Sequence, residues 1–154
     1  MKLSPHFGST EFERDGSVLP SEGIVLAYVR LCEDILEPLR TWANEPIYIT
    51  SGYRSKEIND RIGGALTSQH IATAEFCAAD VYLENHPTMQ APFNWLRLDS
   101  GLPFDEIIRE DGKYRASLHI SWARKPRRIA FTGATFNSEP YTAAYVAPTS
   151  KMET

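Results

Sequence analysis

Apolar residues recur every three or four positions after Ser21: Ile24, Tyr28, Leu31, Ile35, Leu39 and Trp42. That spacing predicts a long helix, with Ser21 as its N-cap and Pro20 just outside. Pro38 lies inside the pattern, lacks an amide hydrogen, and should kink or weaken the last turn. The period then changes. Ile47-Tyr48-Ile49-Thr50 is β-branched and aromatic, as a strand is. Ser55 suits the N-cap of a short helix that Gly63-Gly64 ends. After a loop through His70, Ala78 to Leu83 reads as a second strand, and a helix is expected from about Thr88 to Asp99. Asp105 to Glu110 and Arg115 to Trp122 read as strands flanking Asp111-Gly112, a hairpin-turn signal. Arg128 to Thr132 is a final strand, and nothing after Gly133 is periodic. The first 20 residues are irregular, and Phe7 and Phe12 are expected to tuck against the body. This succession predicts a single α+β domain with helices packed on a largely antiparallel sheet.

Composition narrows the class. A chain of 154 residues, 42% apolar and 23% charged, supports one domain with a real core. The net charge is −4, and Lys125, Arg127 and Arg128 make only a local basic patch, so no nucleic-acid partner is expected. No apolar run approaches the roughly 20 residues that span a bilayer. Met1 to Thr10 has no apolar secretory core, so the expectation is a protein made in the cytoplasm that something else carries to any external target. Cys32 and Cys77 are expected to be reduced, buried thiols.

Of the four histidines, His70 and His119 attract notice. In the second hairpin strand Leu118, Ile120 and Trp122 share one face, and Ser117, His119 and Ser121 share the other. The first face is core, which leaves His119 on a polar surface of the kind that walls a cleft. Asp80 stands in an otherwise apolar strand, where a buried acid must be paired or bind a metal. Both could equally be solvated. His6 and His86 are expected at the surface, and Trp42, Trp95 and Trp122 in packing.

A longer pattern is more specific. Ile49-Thr50-Ser51-Gly52-Tyr53-Arg54-Ser55, Asn59, Ile62-Gly63-Gly64-Ala65 and Thr67-Ser68-Gln69-His70 follow one another in order. Pro5-His6-Phe7, Glu11-Phe12, Leu36-Glu37-Pro38-Leu39-Arg40, Leu102-Pro103-Phe104-Asp105-Glu106-Ile107-Ile108, Leu118-His119-Ile120-Ser121 and Pro126-Arg127-Arg128 extend the set to residues 5–132. The ordered set resembles the zinc D-Ala-D-Ala carboxypeptidase and L-alanyl-D-glutamate endopeptidase family. That family includes peptidoglycan hydrolases and phage endolysins. The resemblance implies Zn2+ on His70, Asp80 and His119, Arg54 near the scissile carbonyl or a substrate carboxylate, and Ser68 and Gln69 lining the cleft. It implies a zinc metallopeptidase acting on peptidoglycan stem or cross-bridge peptides, phage-derived, working on the wall after release or as part of a virion. Residues 1–132 would form the peptidase-like domain and 133–154 an extended tail that could dock on a neighbouring chain.

Two departures from the family leave alternatives open. The family spaces its His and Asp ligands seven apart with an intervening Gly, whereas Asp80 is ten residues beyond His70 and no Gly intervenes. Ile71 to Cys77 then reads as a lengthened loop, Glu75 inside it is a rival oxygen ligand, and a lost site is also consistent. Some branches place a Glu three residues before the last ligand; here that residue is Ala116. Glu106 is the general base expected instead, on the same face as His119, with Glu110 nearer the turn as its rival. A two-residue turn at Asp111-Gly112 would pair Glu106 with Ser117, and a four-residue loop would pair it with His119. The alternative function is a non-catalytic structural or binding component of a phage particle on the same fold.

Overall fold

The computed structural model of the protein describes residues 1–134 and 142–146, with side chains described through residue 133. A small hairpin, β1 (Lys2–Ser4) and β2 (Phe7–Gly8), leads into a 3-10 turn, Ser9–Phe12. Phe7 and Phe12 are buried there, as the irregular start of the chain led one to expect. Helix α1 (Glu22–Leu31) opens on Ser21, whose hydroxyl accepts the Ile24 amide. It runs through a wide π turn, Cys32–Leu36, into α2 (Glu37–Ala43). The π turn explains how Pro38 is tolerated. The Glu37 amide reaches back to the Cys32 carbonyl, and the helix restarts with Pro38 in its first turn, where a missing N–H does little harm. The break therefore comes before Pro38 and leaves the last turn intact.

The main sheet has six strands in the order β3 (Tyr48–Ser51), β4 (Phe76–Tyr82), β6 (Ala116–Ala123), β5 (Glu106–Asp111), β7 (Ile129–Ala134) and β8 (Thr142–Val146). Every pairing is antiparallel except β5 with β7. Helix α3 (Lys56–Arg61) follows β3, and α4 (Gln90–Asn94) with a second π turn, Trp95–Asp99, follows β4. The α+β reading holds. β4 begins earlier than expected, at Phe76, so the lengthened loop is confined to residues 71–75. The tail expectation falls largely outside the described residues; within it, 142–146 pair with β7.

One face of the sheet is packed under the α1–α2 helix. Tyr28, Leu31, Ile35 and Leu39 meet Ala79, Val81, Leu118 and Ile120 in a single core, which also buries both free cysteines. Burying about a dozen such side chains, at roughly 1.5–3 kcal/mol each, is what holds the sheet against the helix. The opposite face carries Asp80, His119 and Glu106. Among the described residues, no helix is long and apolar enough to cross a membrane. Trp42 stacks on Trp95 with ring centroids 5.0 Å apart, a packing role as expected.

Candidate metal centre

Register brings Asp80 and His119 together. They are directly opposed partners across β4 and β6, so their side chains leave the sheet on the same face. Ser51 opposes Asp80 from the other side. Asp80 is thus fixed by two strand pairings, and the extra residues of the 71–75 loop are absorbed before β4 starts.

His70 arrives from a loop that is tied down locally. Its amide bonds the Ser68 hydroxyl, and its carbonyl accepts the Arg54 amide. Its Nδ1 lies 2.7 Å from the Gly52 carbonyl oxygen. Gly52 is itself pressed against the N-terminal 3-10 turn, where a Cβ would stand 2.4 Å from the Phe12 oxygen, and the next amide, of Tyr53, donates to that oxygen. Only glycine permits so close a backbone approach. The chain of support runs from buried Phe12 through Gly52 to the His70 ring.

His70 Nε2 and His119 Nδ1 each lie 3.2 Å from Asp80 Oδ1. One donor atom from each of the three residues falls within 4.8 Å of the others. A neutral imidazole has a single N–H. His70 spends it on Gly52, which leaves the Nε2 lone pair facing a carboxylate oxygen. Two acceptors at that distance require a cation between them, either the second proton of an imidazolium or a metal ion. Two ligand atoms on a tetrahedral zinc with arms of about 2.0 Å would be about 3.3 Å apart, close to the 3.2 Å that separates each histidine nitrogen from Asp80 Oδ1. The donor set, two nitrogens and a carboxylate oxygen, is one that zinc accepts. The residues therefore fit the metal.

The electrostatics agree. Burial alone would push the Asp80 carboxyl up, but the charges and hydrogen bonds of His70 and His119 outweigh it and hold the group far below the usual carboxylate range. Burial alone would push His119 down, but its hydrogen bond to Asp80 and the charges of Asp80, Glu106 and Glu110 raise it above its ordinary value. Among the described residues buried His119 Nε2 has no hydrogen-bond partner, and Glu106 Oε1 approaches it at 3.5 Å.

The three residues open into a cleft of about 1060 Å³, lined also by Arg54, Ser68, Gln69, Glu106, Glu110 and Arg127. The candidate metal, catalytic and substrate-binding residues read from the sequence, His70, Asp80, His119, Glu106, Glu110, Arg54, Ser68 and Gln69, line this cleft, and Glu75 does not. Glu75 is at the surface, paired with Arg124 at 2.9 Å. The hairpin register differs from both expected ones. Asp111 opposes Ala116, the loop is the four residues 112–115, and His119 opposes Ile108. The Gly112 amide closes on the Arg115 oxygen, and a Cβ at Gly112 would lie 2.4 Å from that same atom. Glu106 nevertheless shares the face of His119, because the shift is by an even number of residues. Ser121, expected on the cleft wall, is fully buried and bonds the Glu106 backbone.

Sequence reasoning missed one group. Asp105, 2% exposed, accepts from the Arg127 amide at 2.9 Å, from the Arg127 guanidinium at 2.8 Å and from Gln69 Nε2 at 2.7 Å. Burial would push its carboxyl up, but these bonds hold it below its ordinary value. Its position at the start of β5, next to the better-placed Glu106, gave no periodic signal.

No curated protein matches the chain. A family model described as Peptidase M15 matches residues 5–121, which takes in His70, Asp80, Glu106 and His119 and ends before Arg127. With more than half of the sequence matched and a His-Asp-His group able to hold a metal in place, the chain belongs to the peptidase M15 family.

Proposed function

We propose that the protein is a zinc-dependent peptidase cleaving stem or cross-bridge peptides of peptidoglycan, of phage origin and acting on the bacterial wall after release or from a virion. The observation that carries the metal part is Asp80 Oδ1, 3.2 Å from a nitrogen of each histidine while the other nitrogen of His70 is committed to Gly52. The peptidase part rests on the family match. The wall substrate and the phage setting rest on the ordered likeness from Ser51-Gly52-Tyr53-Arg54-Ser55 to His70.

His70, Asp80 and His119 would hold the zinc. A bound zinc ion supplies Lewis acidity toward the scissile carbonyl and brings the pKa of water toward about 7. The chain's own groups do the rest. Glu106 takes up the proton of the attacking water and returns it to the leaving amine. Its carboxylate reaches the cleft and, at 3.5 Å from His119, is not committed to a hydrogen bond among the described residues. Glu110, four residues further along the same face, is the rival for this task. Arg54 stands 3.9 Å from the second oxygen of Asp80 and steadies charge developing on the carbonyl oxygen. Ser68 and Gln69 line the path of the peptide.

The test is digestion of purified peptidoglycan and of soluble stem peptides by the zinc-loaded protein, with new termini located by mass spectrometry. Release of peptide fragments that stops on chelation and returns with zinc is expected. A zinc-loaded protein that liberates no new termini from any of them would overturn the reading.

A further inference from the structure

Three cations line the cleft, and they are not equally engaged. Arg54 is 15% exposed, and each of its three guanidinium nitrogens already has a protein partner: Asp15 at Nε, Asn59 at Nη1, Ser51 at Nη2. Lys56 is paired with Asp60 at 2.8 Å. Arg127 is different. Asp105 takes one edge of its guanidinium, through Nε and Nη2, and fixes its backbone amide as well. Nη1 has no partner among the described residues, and the side chain is 54% exposed. Nη2 also stands 3.8 Å from Glu106 Oε2, which places the guanidinium one side chain away from His119.

We propose that Arg127, carried on buried Asp105, is the residue by which the cleft recognises a free carboxylate on the substrate, within about two residues of the bond cleaved. The inference rests on the peptidase reading above, and it moves carboxylate recognition from Arg54 to Arg127. A guanidinium held by one edge keeps its other edge in a fixed direction, so little side-chain freedom is lost when a carboxylate binds. An arginine serving only to tie the β7 entry to β5 would have no need of a half-exposed head lining the cleft. Gln69 shares the anchor: its Nε2 donates to the same Asp105 oxygen that Arg127 Nη2 uses, so Asp105 fixes two cleft-lining side chains at once.

The test compares matched peptides, one with a free carboxylate flanking the scissile bond and one with the carboxamide there, on zinc-loaded wild type, Arg127→Gln and Arg127→Lys. Wild type should favour the acid in kcat/KM by about ten-fold or more, carried mainly in KM. Arg127→Gln should lose that preference, and Arg127→Lys should recover part of it because the charge remains. An equal fall on both peptides, or an unchanged preference in Arg127→Gln, would overturn the proposal. If wild type cleaves neither peptide, the peptidase reading fails separately. Calorimetric binding of the same pair then decides: acid-selective binding lost in Arg127→Gln supports the proposal, and binding without acid preference in wild type refutes it.

Discussion

Arg54 and Arg127 line the same cleft, one from the Asp80 side and one from the His119 side, and they are held in opposite ways. On the Asp80 side the polar groups are tied to the protein. Arg54 is bonded to Asp15, Ser51 and Asn59, His70 is bonded to Gly52, and Gly52 is clamped against Phe12. On the His119 side groups are left over. Among the described residues His119 Nε2 is without a hydrogen bond, Glu106 lies just beyond bonding distance of it, and Arg127 spends only one edge, on Asp105. Groups tied in this way would hold the candidate ligand atoms in place. Groups less committed to the protein line the cleft, where on the proposed reading a substrate would supply their partners.

That division can be broken from either side. The largest effect is expected from Asp80→Ala, which removes the oxygen both histidines face. Hydrolysis should fall to the buffer background, and metal should be lost with it. Glu106→Gln should lower kcat by about 10²–10⁴ while metal content is unchanged. A fall confined to Glu110→Gln would instead hand the proton to Glu110. Gly52→Ala strikes the saturated side. It forces a methyl into the Phe12 backbone and should reduce unfolding free energy by about 2–3 kcal/mol in denaturant titrations.

Asp105 gives a smaller, pH-dependent effect on the other side. Its folded-state pKa is depressed, so the stability it contributes is present above the unfolded value near ~3.9 and is lost as pH falls through the folded value. Asp105→Asn should cost about 1–2 kcal/mol at neutral pH and flatten that acid limb of the stability profile. An unaltered acid limb would show that the Asp105–Arg127 tie is not formed in solution.

Much of this architecture was legible in the chain. The 3.6-residue period found α1 and α2, and the alternation around His119 found the right face of β6. The segment from Ser51 to His70 found the loop that carries the first histidine. What stayed hidden was not encoded locally. The four-residue hairpin loop is selected by the close approach of Gly112 and Arg115, while Asp111-Gly112 by itself signals a shorter turn. Pro38 predicted a fault in the helix, but a π turn one step earlier removes it. The ten-residue interval from His70 to Asp80 looked like a threat to the site, yet strand register with Ser51 and His119 fixes Asp80 whatever the loop length. Asp105 acts through partners 22 and 36 residues away, a separation no short-range pattern reports.

The central claim is that His70, Asp80 and His119 hold a zinc ion. Elemental analysis of the natively purified protein beside His119→Ala tests it most directly, with circular dichroism confirming that both are folded. About one zinc per chain in the wild type and none in the variant is the expected result. A folded wild type that carries no zinc and takes none up on addition would contradict it.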